Sequence, residues 1–79
     1  MTNLEKYIDA FVTCFEITED QAKTLEYQGV EAWDSVGHMD LIATIEDAFD
    51  IMFDADDIID FSSFEKGKEL LVNNYKIEF

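Results

Sequence analysis

The sequence predicts an all-α fold, a four-helix bundle with a long first loop and a short third helix. Apolar residues recur at helical spacing in three separate stretches, which is typical of amphipathic helices packed around one core. The chain of 79 residues contains no proline, and 48% of its residues are hydrophobic, which is enough material for a packed core. At this length we expect one small domain over residues 1–79.

The first helix is predicted from Asn3 to Phe15. Thr2 and Glu5 have the spacing of a capping box, in which each side chain binds the backbone N–H of the other residue. The apolar stripe of this helix contains Leu4, Ile8, Phe11, Val12 and Phe15. The only cysteine, Cys14, lies close to that stripe. We interpret it as a small core residue and not as a nucleophile, because neither a second cysteine nor a nearby histidine accompanies it.

Residues 16–33 show weaker periodicity and predict the long first loop. Thr18 and Gln21 have the spacing of a second capping box, which can start a short turn of helix before Leu25. Gly29 interrupts this stretch and Trp33 ends it. We interpret Trp33 as a structural anchor against the core, and the alternative is that it lines a ligand groove.

The second helix is predicted from Ser35 to about Asp50, with Asp34 capping its first turn. Its spacing separates two apolar rows. The row expected in the core is Leu41, Ile45 and Phe49. The row expected to be partly exposed is Val36, Met39 and Ala43.

Acidic side chains stand beside that second row: Asp40, Glu46, Asp47 and Asp50. Small apolar contacts mixed with negative charge favour a weak docking surface, to which a partner is steered by charge. The alternative is an ordinary solvated acidic face opposite a buried apolar stripe.

A short third helix is predicted up to Ile59, with Asp54 as its cap and further acids in its first turn. Ser62 and Glu65 have capping-box spacing and predict the start of the fourth helix. The inward face of this helix is predicted as Phe64, Gly67, Leu71 and Tyr75. Glycine inside a helix costs about 1 kcal/mol relative to alanine, so we expect close approach of a neighbouring helix at Gly67.

Charge excludes two classes of partner. Nineteen acidic residues against five lysines give a net charge of −14, which argues against nucleic acid and against an anionic membrane. A basic protein surface is the natural complement. No lysine lies between Lys23 and Lys66, where the negative charges repel one another. Weak binding of divalent cations would relieve that repulsion.

The N-terminus lacks the basic segment and long apolar run of a secretory signal, and no stretch approaches the length of a membrane span. A lone cysteine cannot form an internal disulfide. We therefore expect a monomeric cytoplasmic protein.

Ser35 has a chemically special position at the predicted start of the second helix. The first turn of a helix has unpaired backbone N–H groups and carries the positive end of the helix dipole. Such a position accepts an anion, including a phosphate esterified to the serine itself.

The residues Asp34-Ser35-Val36, followed by Met39-Asp40-Leu41, resemble the Asp-Ser-Leu signature of acyl and peptidyl carrier proteins. The similarity extends through Glu46-Asp47-Ala48-Phe49 to Ser62-Ser63-Phe64, and it covers the second half of the chain closely and the first half only by pattern. The resemblance implies a bundle of the acyl-carrier type. It also implies a 4'-phosphopantetheine arm on Ser35, added by a phosphopantetheinyl transferase and ending in a thiol that holds acyl or aminoacyl cargo.

The resemblance therefore implies a carrier that is not an enzyme, and that presents its cargo to enzymes of a fatty-acid, polyketide or related specialised pathway. Asp34 and Ser35 match the family signature. Val36 stands where leucine is usual, Gly37 replaces a commonly acidic position, and Ala43 stands where larger apolar residues are frequent. These departures bear on which partner enzymes recognise the chain.

Two neighbouring aromatic residues bear on the pathway. Trp33 and His38 look more like those of discrete carriers in specialised pathways than those of the housekeeping fatty-acid carrier. We expect His38 to face a partner, to lie near the phosphate, or simply to be exposed.

A self-contained enzyme is the first alternative, because Ser35 and His38 are one helical turn apart and Asp34 or Asp40 could complete a triad. Side chains on one turn point outward in a fan and cannot surround a substrate. The chain also lacks a Gly-x-Ser-x-Gly elbow.

An EF-hand is the second alternative, because four acidic residues fall at ligand positions of its loop: Asp54, Asp56, Asp60 and Glu65. Ile59 occupies the place of the required glycine, so this loop cannot turn as an EF-hand does. An acidic helical module that binds proteins or, weakly, divalent cations, without a prosthetic group, is the non-carrier alternative.

Overall fold

The computed structural model describes residues Met1–Phe79 and contains five α-helices and no β-strand. The helices are α1 (Asn3–Phe15), α2 (Glu19–Lys23), α3 (Ser35–Phe49), α4 (Ala55–Asp60) and α5 (Phe64–Tyr75). The predicted all-α class is confirmed, and so is a short helix between two longer ones in the second half. No helix combines the length and the apolar character needed to cross a bilayer.

The structure has five helices against four predicted, and the additional one, α2, is the short turn of helix that the capping box before Leu25 predicted. Thr18 Oγ1 accepts a hydrogen bond from the Gln21 N–H at 3.2 Å, and Gln21 Oε1 accepts one from the Thr18 N–H at 2.9 Å. This capping box nucleates a helix of only five residues, with Ala22 as its buried member. A helix that short leaves no visible period in the sequence.

The bounds predicted for α1 agree with the structure. Thr2 Oγ1 accepts a hydrogen bond from the Glu5 N–H at 3.1 Å, and the Thr2 N–H donates to Glu5 Oε1 at 2.9 Å. Hydrogen bonds from the Thr2 backbone and then from its hydroxyl lower the pKa of Glu5. Cys14 is partly buried against the core, and its Sγ lies 3.3 Å from Thr44 Oγ1. It is the small core residue that the sequence predicted.

Two predicted helix caps differ from the structure. Asp54 occupies the N-cap of α4 but makes no side-chain cap bond. The cap of α5 is Ser63, whose Oγ accepts the Lys66 N–H at 3.0 Å, so the predicted box of Ser62 with Glu65 does not form.

Backbone pairing with the first loop holds Ser62 outside α5. The Tyr27 N–H donates to Ser62 O at 2.8 Å, and the Phe64 N–H donates to Leu25 O at 2.9 Å. Ser63, which lies between these two bonds, has extended backbone with φ −163° and ψ 167°, so the helix begins only after it. The same pairing ties the first loop to the segment between α4 and α5.

The core is aromatic at its centre, and its buried rings are Tyr7, Phe11, Phe15, Trp33, Phe53, Phe61 and Phe64. α3 contributes Leu41 and Ile45, which are buried as predicted, whereas Phe49 is only partly buried. A Cβ built on Gly67 would overlap the ring of Phe61. The close approach predicted at Gly67 is therefore real, but the neighbour is an aromatic ring just after α4 and not another helix.

Candidate functional site at the start of α3

Ser35 is the first residue of α3 and is exposed. Asp34 precedes it as the N-cap, and its Oδ1 accepts a hydrogen bond from the Gly37 N–H at 2.9 Å. The His38 N–H donates to Asp34 O at 2.8 Å, which closes the first backbone turn. The N–H groups of Ser35 and Val36 fall within the part of a helix that has no intrahelical acceptor. An anion attached to the Ser35 hydroxyl would therefore meet the donor-rich end of the helix.

The first loop passes directly over this turn. A Cβ built on Gly37 would overlap the carbonyl oxygen of Ala32 and would lie 3.3 Å from Cε1 of Phe15. Only glycine leaves room for the backbone at this position. The glycine at position 37 is therefore required by the packing of the first loop onto α3.

Trp33 ends the first loop as a fully buried side chain, with 0% of its surface exposed. Its ring stacks on Phe15 with centroids 5.3 Å apart and planes at 22°, and it meets Phe11 edge to face at 5.5 Å. The interpretation of Trp33 as an anchor is confirmed, and the alternative of a ligand-lining ring is wrong.

His38 is partly buried, which corrects the prediction of a simply exposed side chain, whereas its facing a partner or lying near a phosphate stays a prediction. Trp33 Nε1–H donates to His38 Nδ1 at 2.9 Å, and His38 Nε2 lies 2.7 Å from Ile58 O. An indole N–H and a carbonyl each have only one role, so Nδ1 accepts and Nε2–H donates. We call this chain of two hydrogen bonds, from Trp33 through His38 to Ile58, the imidazole bridge.

Two polar groups without other hydrogen-bond partners, the Trp33 indole N–H and the Ile58 carbonyl, explain the position of His38. A buried indole N–H without an acceptor costs about 1–3 kcal/mol, so Trp33 requires a partner. The last carbonyl groups of a helix lack intrahelical donors, so Ile58 O near the end of α4 requires one as well. His38 satisfies both. Because both ring nitrogens are occupied, the imidazole is not available as a base for Ser35.

The outer face of α3 carries the predicted exposed residues. Val36 is 71% exposed and Met39 is 53% exposed. The other predicted members that are exposed are Asp40, Ala43 and Asp47. Glu46 differs, because it is partly buried and its Oε2 accepts the Phe53 N–H at 2.8 Å. Its charge is engaged with the loop between α3 and α4, which the spacing along α3 could not predict.

An open groove of about 260 Å³ lies beside the imidazole bridge. Its lining residues come from the first loop, α3, α4 and the segment after α4, and they are Tyr27, His38, Ile58, Ile59, Phe61 and Ser62. None of these side chains carries a full charge at neutral pH unless His38 is protonated. Ile59, which is 77% exposed, was not predicted as a surface residue of the site. The sequence does not show that Ile59 lies near α3, because that depends on where α4 packs.

A second, polar groove of about 590 Å³ lies between α4 and α5. It is lined by Asp54, Ala55, Asp56, Asp57, Asn73 and Asn74. Asp57 is 8% exposed, and its oxygens accept hydrogen bonds from Asn74 Nδ2 at 2.9 Å and from the Tyr75 hydroxyl at 2.6 Å. No group of three His, Cys, Asp or Glu side chains is arranged to hold a metal ion. Weak divalent binding stays a prediction.

No protein-family model, curated protein or solved structure matches this chain. The function is therefore inferred from the residues themselves, above all from the surroundings of Ser35.

Proposed function

We propose that this chain is a carrier protein whose Ser35 accepts a 4'-phosphopantetheine arm from coenzyme A. The observation that carries the proposal is the exposed Ser35 hydroxyl at the first residue of α3, directly after Asp34, which caps the Gly37 N–H at 2.9 Å. A phosphodiester on Ser35 Oγ suits this position, because the helix start offers N–H donors and the positive end of the dipole.

A separate transferase performs the attachment. Ser35 Oγ forms a bond to the phosphorus of coenzyme A that bears the pantetheine, the bond from that phosphorus to the bridging oxygen breaks, and adenosine 3',5'-bisphosphate leaves. The serine proton passes to a base of the transferase, because His38 already uses both ring nitrogens. When bound, the arm supplies a thiol that holds an acyl or aminoacyl group as a thioester. This chain supplies an address for partner enzymes and no catalytic group of its own.

The outer face of α3 supports docking of such partners. Val36 and Met39 expose apolar surface, and Asp40 and Asp47 add exposed negative charge beside them. A partner with a basic rim around small apolar contacts complements this face, and the net charge of −14 attracts it over a distance. Enzymes of a fatty-acid, polyketide or related specialised pathway are the proposed partners.

The test is incubation with coenzyme A, Mg²⁺ and a broad-specificity phosphopantetheinyl transferase, followed by intact-mass measurement and peptide mapping. Wild type should gain one arm and Ser35→Ala none, while Ser62→Ala, a matched change of an exposed serine, should behave as wild type. Circular dichroism should show that Ser35→Ala is folded, since the Asp34 cap remains. Modification of Ser35→Ala, an arm mapped to Ser62, or unmodified wild type beside a modified reference carrier would refute the proposal.

A further inference from the structure

We infer that His38 is a positioning residue, which fixes the first loop and α4 around Ser35, and that only its neutral form with hydrogen on Nε2 does so. The positioning follows from the hydrogen bonds of His38. Its consequence for arm attachment rests on the proposed function of Ser35.

Trp33 holds the first loop in the core, and its indole N–H can only donate. His38 Nδ1 is the acceptor at 2.9 Å, and no buried side-chain nitrogen or oxygen in the chain is left without a partner. The Tyr27 ring from the same loop packs edge-on against the imidazole, with centroids 5.5 Å apart. One imidazole thus contacts the loop at two places.

The helix α4 has only six residues and begins after a loop, so contacts from outside determine where it lies. The bond from His38 Nε2–H to Ile58 O, at 2.7 Å, joins it to α3. Ile59, the next residue, exposes its side chain beside the groove. His38 therefore sets where the exposed apolar surface of α4 lies relative to the helix turn that carries Ser35.

A second proton on the His38 ring is incompatible with the imidazole bridge. A hydrogen added to Nδ1 would face the Trp33 N–H across 2.9 Å, so that two donors would oppose each other without an acceptor. Close packing of the Phe15, Trp33 and Phe61 rings leaves no space for the indole to turn away. Protonation therefore breaks the bond to Trp33, and the imidazole has to move outward.

The groove beside His38 is lined by no carboxylate. Tyr27 from the first loop is the only titratable side chain that lines the groove with His38, and α4 and the segment after it contribute Ile58, Ile59, Phe61 and Ser62. On α3 the Asp34 carboxylate is bound to the Gly37 N–H. On α4 the Asp57 carboxylate is bound to α5, and Asp60 is exposed.

The bridge therefore exists only with the neutral imidazole that has its hydrogen on Nε2, and the doubly protonated ring cannot form it. A partner that docks on Val36, Met39 and Ile59 would meet a displaced surface, while the Ser35 hydroxyl itself would be unchanged. Loss of the bridge should accordingly raise the KM of the transferase for this chain more than it lowers kcat.

The positioning is tested directly by nitrogen-15 NMR of the unmodified chain. One tryptophan and one histidine make the indole and imidazole signals unique. We expect the Nε2–H tautomer at neutral pH, and an acid titration in which the indole signal and the amides of Tyr27 and Ile59 change together with the imidazole. The Nδ1–H tautomer, or an indole signal indifferent to His38 protonation, would overturn the inference.

The consequence is tested with His38→Gln, whose amide offers an acceptor oxygen and a donor nitrogen but does not titrate. The kcat/KM of wild type relative to His38→Gln should fall about tenfold from the pH at which the NMR titration shows a neutral imidazole to the pH at which it shows a protonated one, the equivalent of one hydrogen bond. Glu69→Gln, an exposed change on α5, should follow wild type throughout. Parallel profiles of wild type and His38→Gln would overturn the positioning role.

Trp33→Phe provides an independent test if His38→Gln does not fold. It retains a ring in the core and removes the opposing donor, so its NMR titration should couple the first loop to His38 more weakly than in wild type, through the Tyr27 ring alone. Coupling as strong as in wild type without the indole N–H would overturn the inference. Failure of every variant and of wild type to accept the arm would refute the proposed function instead, because the NMR titration needs no arm.

Discussion

Two hydrogen-bond networks of different chemistry hold α4 on its two sides. The imidazole bridge, on the side of Ser35, consists of neutral groups, with bonds of 2.9 Å from Trp33 to His38 and 2.7 Å from His38 to Ile58. The bridge joins α4 to α3 and to the first loop.

The other side uses a charge. The partly exposed Tyr75 of α5 donates its hydroxyl to the Asp57 carboxylate at 2.6 Å, Asn74 donates to the same carboxylate at 2.9 Å, and the Asp54 N–H donates to the Tyr75 hydroxyl at 2.8 Å. We call these contacts the carboxylate network. A hydrogen bond to a charged group contributes about 1.5–3 kcal/mol, against about 0.5–1.5 kcal/mol for a neutral pair.

The difference indicates which side of α4 opens first. The carboxylate network should keep α4 attached to α5 under conditions that already break the imidazole bridge. Opening on the bridge side changes the groove and the surroundings of Ser35 without unfolding the domain. The weaker attachment therefore lies beside the candidate site, where local opening costs least.

The largest expected effect breaks the bridge side together with its packing. Trp33→Ala removes a fully buried ring and should cost about 3–5 kcal/mol, close to the whole stability of a domain this small. Trp33→Phe should cost less, because a ring remains and mainly the hydrogen bond is lost. Urea unfolding followed by far-ultraviolet circular dichroism measures both, and an unfolding midpoint of Trp33→Ala equal to that of wild type would contradict the structure.

A smaller effect is expected from breaking the carboxylate network. Tyr75→Phe removes the donor to the Asp57 carboxylate and the acceptor for the Asp54 N–H, and it should cost about 1.5–3 kcal/mol. Tyr27→Phe is the matched control on an exposed tyrosine and should change the unfolding free energy by less than about 0.5 kcal/mol. Equal unfolding midpoints for the two variants would show that the network does not hold α4.

Comparison of Tyr75→Phe with wild type also predicts a dependence of the unfolding free energy on pH. Desolvation by burial, followed by the hydrogen bond to Asp57, raises the pKa of Tyr75 above its ordinary value of 10.0. Because the pKa of Tyr75 is higher in the folded chain than in the unfolded chain, its protonated hydroxyl stabilises the fold fully below about pH 10. That stabilisation is lost as the pH rises above the pKa that Tyr75 has in the unfolded chain. Tyr75→Phe should lose less stability in alkali than wild type. Some alkaline loss should persist, because burial also raises the pKa of Tyr7.

The smallest expected effect on stability comes from reversing the charge of Glu46 or of its neighbour Asp47 on α3. Glu46→Lys removes the acceptor of the Phe53 N–H and should cost about 1 kcal/mol, whereas Asp47→Lys, at an exposed position, should cost less than about 0.5 kcal/mol. Asp47→Lys should instead slow arm attachment and weaken its salt dependence, since steering acts mainly on association rate. Thermal unfolding and transferase kinetics against ionic strength measure the two effects. Equal stability losses would contradict the distinct position of Glu46.

Local signals in the sequence predict the helices where each signal needs only its own segment. The capping box of Thr2 with Glu5 and the apolar stripe after it determine α1. Asp34 before the period of Leu41 and Ile45 determines the start of α3, and with it the helix-end position of Ser35. These predictions agree with the structure because a helix and its cap are made by residues close in sequence.

Predictions that depended on a partner elsewhere in the chain were less reliable. The cap of α5 moved from Ser62 to Ser63 because Tyr27 pairs with Ser62 from the first loop. Glu46 was predicted as an exposed surface charge, because the helical repeat of α3 does not show that the Phe53 N–H, from the loop after α3, donates a hydrogen bond to it. Gly67 indicated a close approach but not the Phe61 ring that makes it.

The sequence by itself determined the all-α class, the start of α3 at Ser35 and the exposure of Val36 and Met39, because helical period and capping are short-range properties. Only the tertiary structure decided the role of His38. The position of His38 in the helical repeat of α3 was compatible with an exposed side chain. The donor it receives and the carbonyl it binds come from the first loop and from α4, and a buried hydrogen bond is decided by which groups folding brings together.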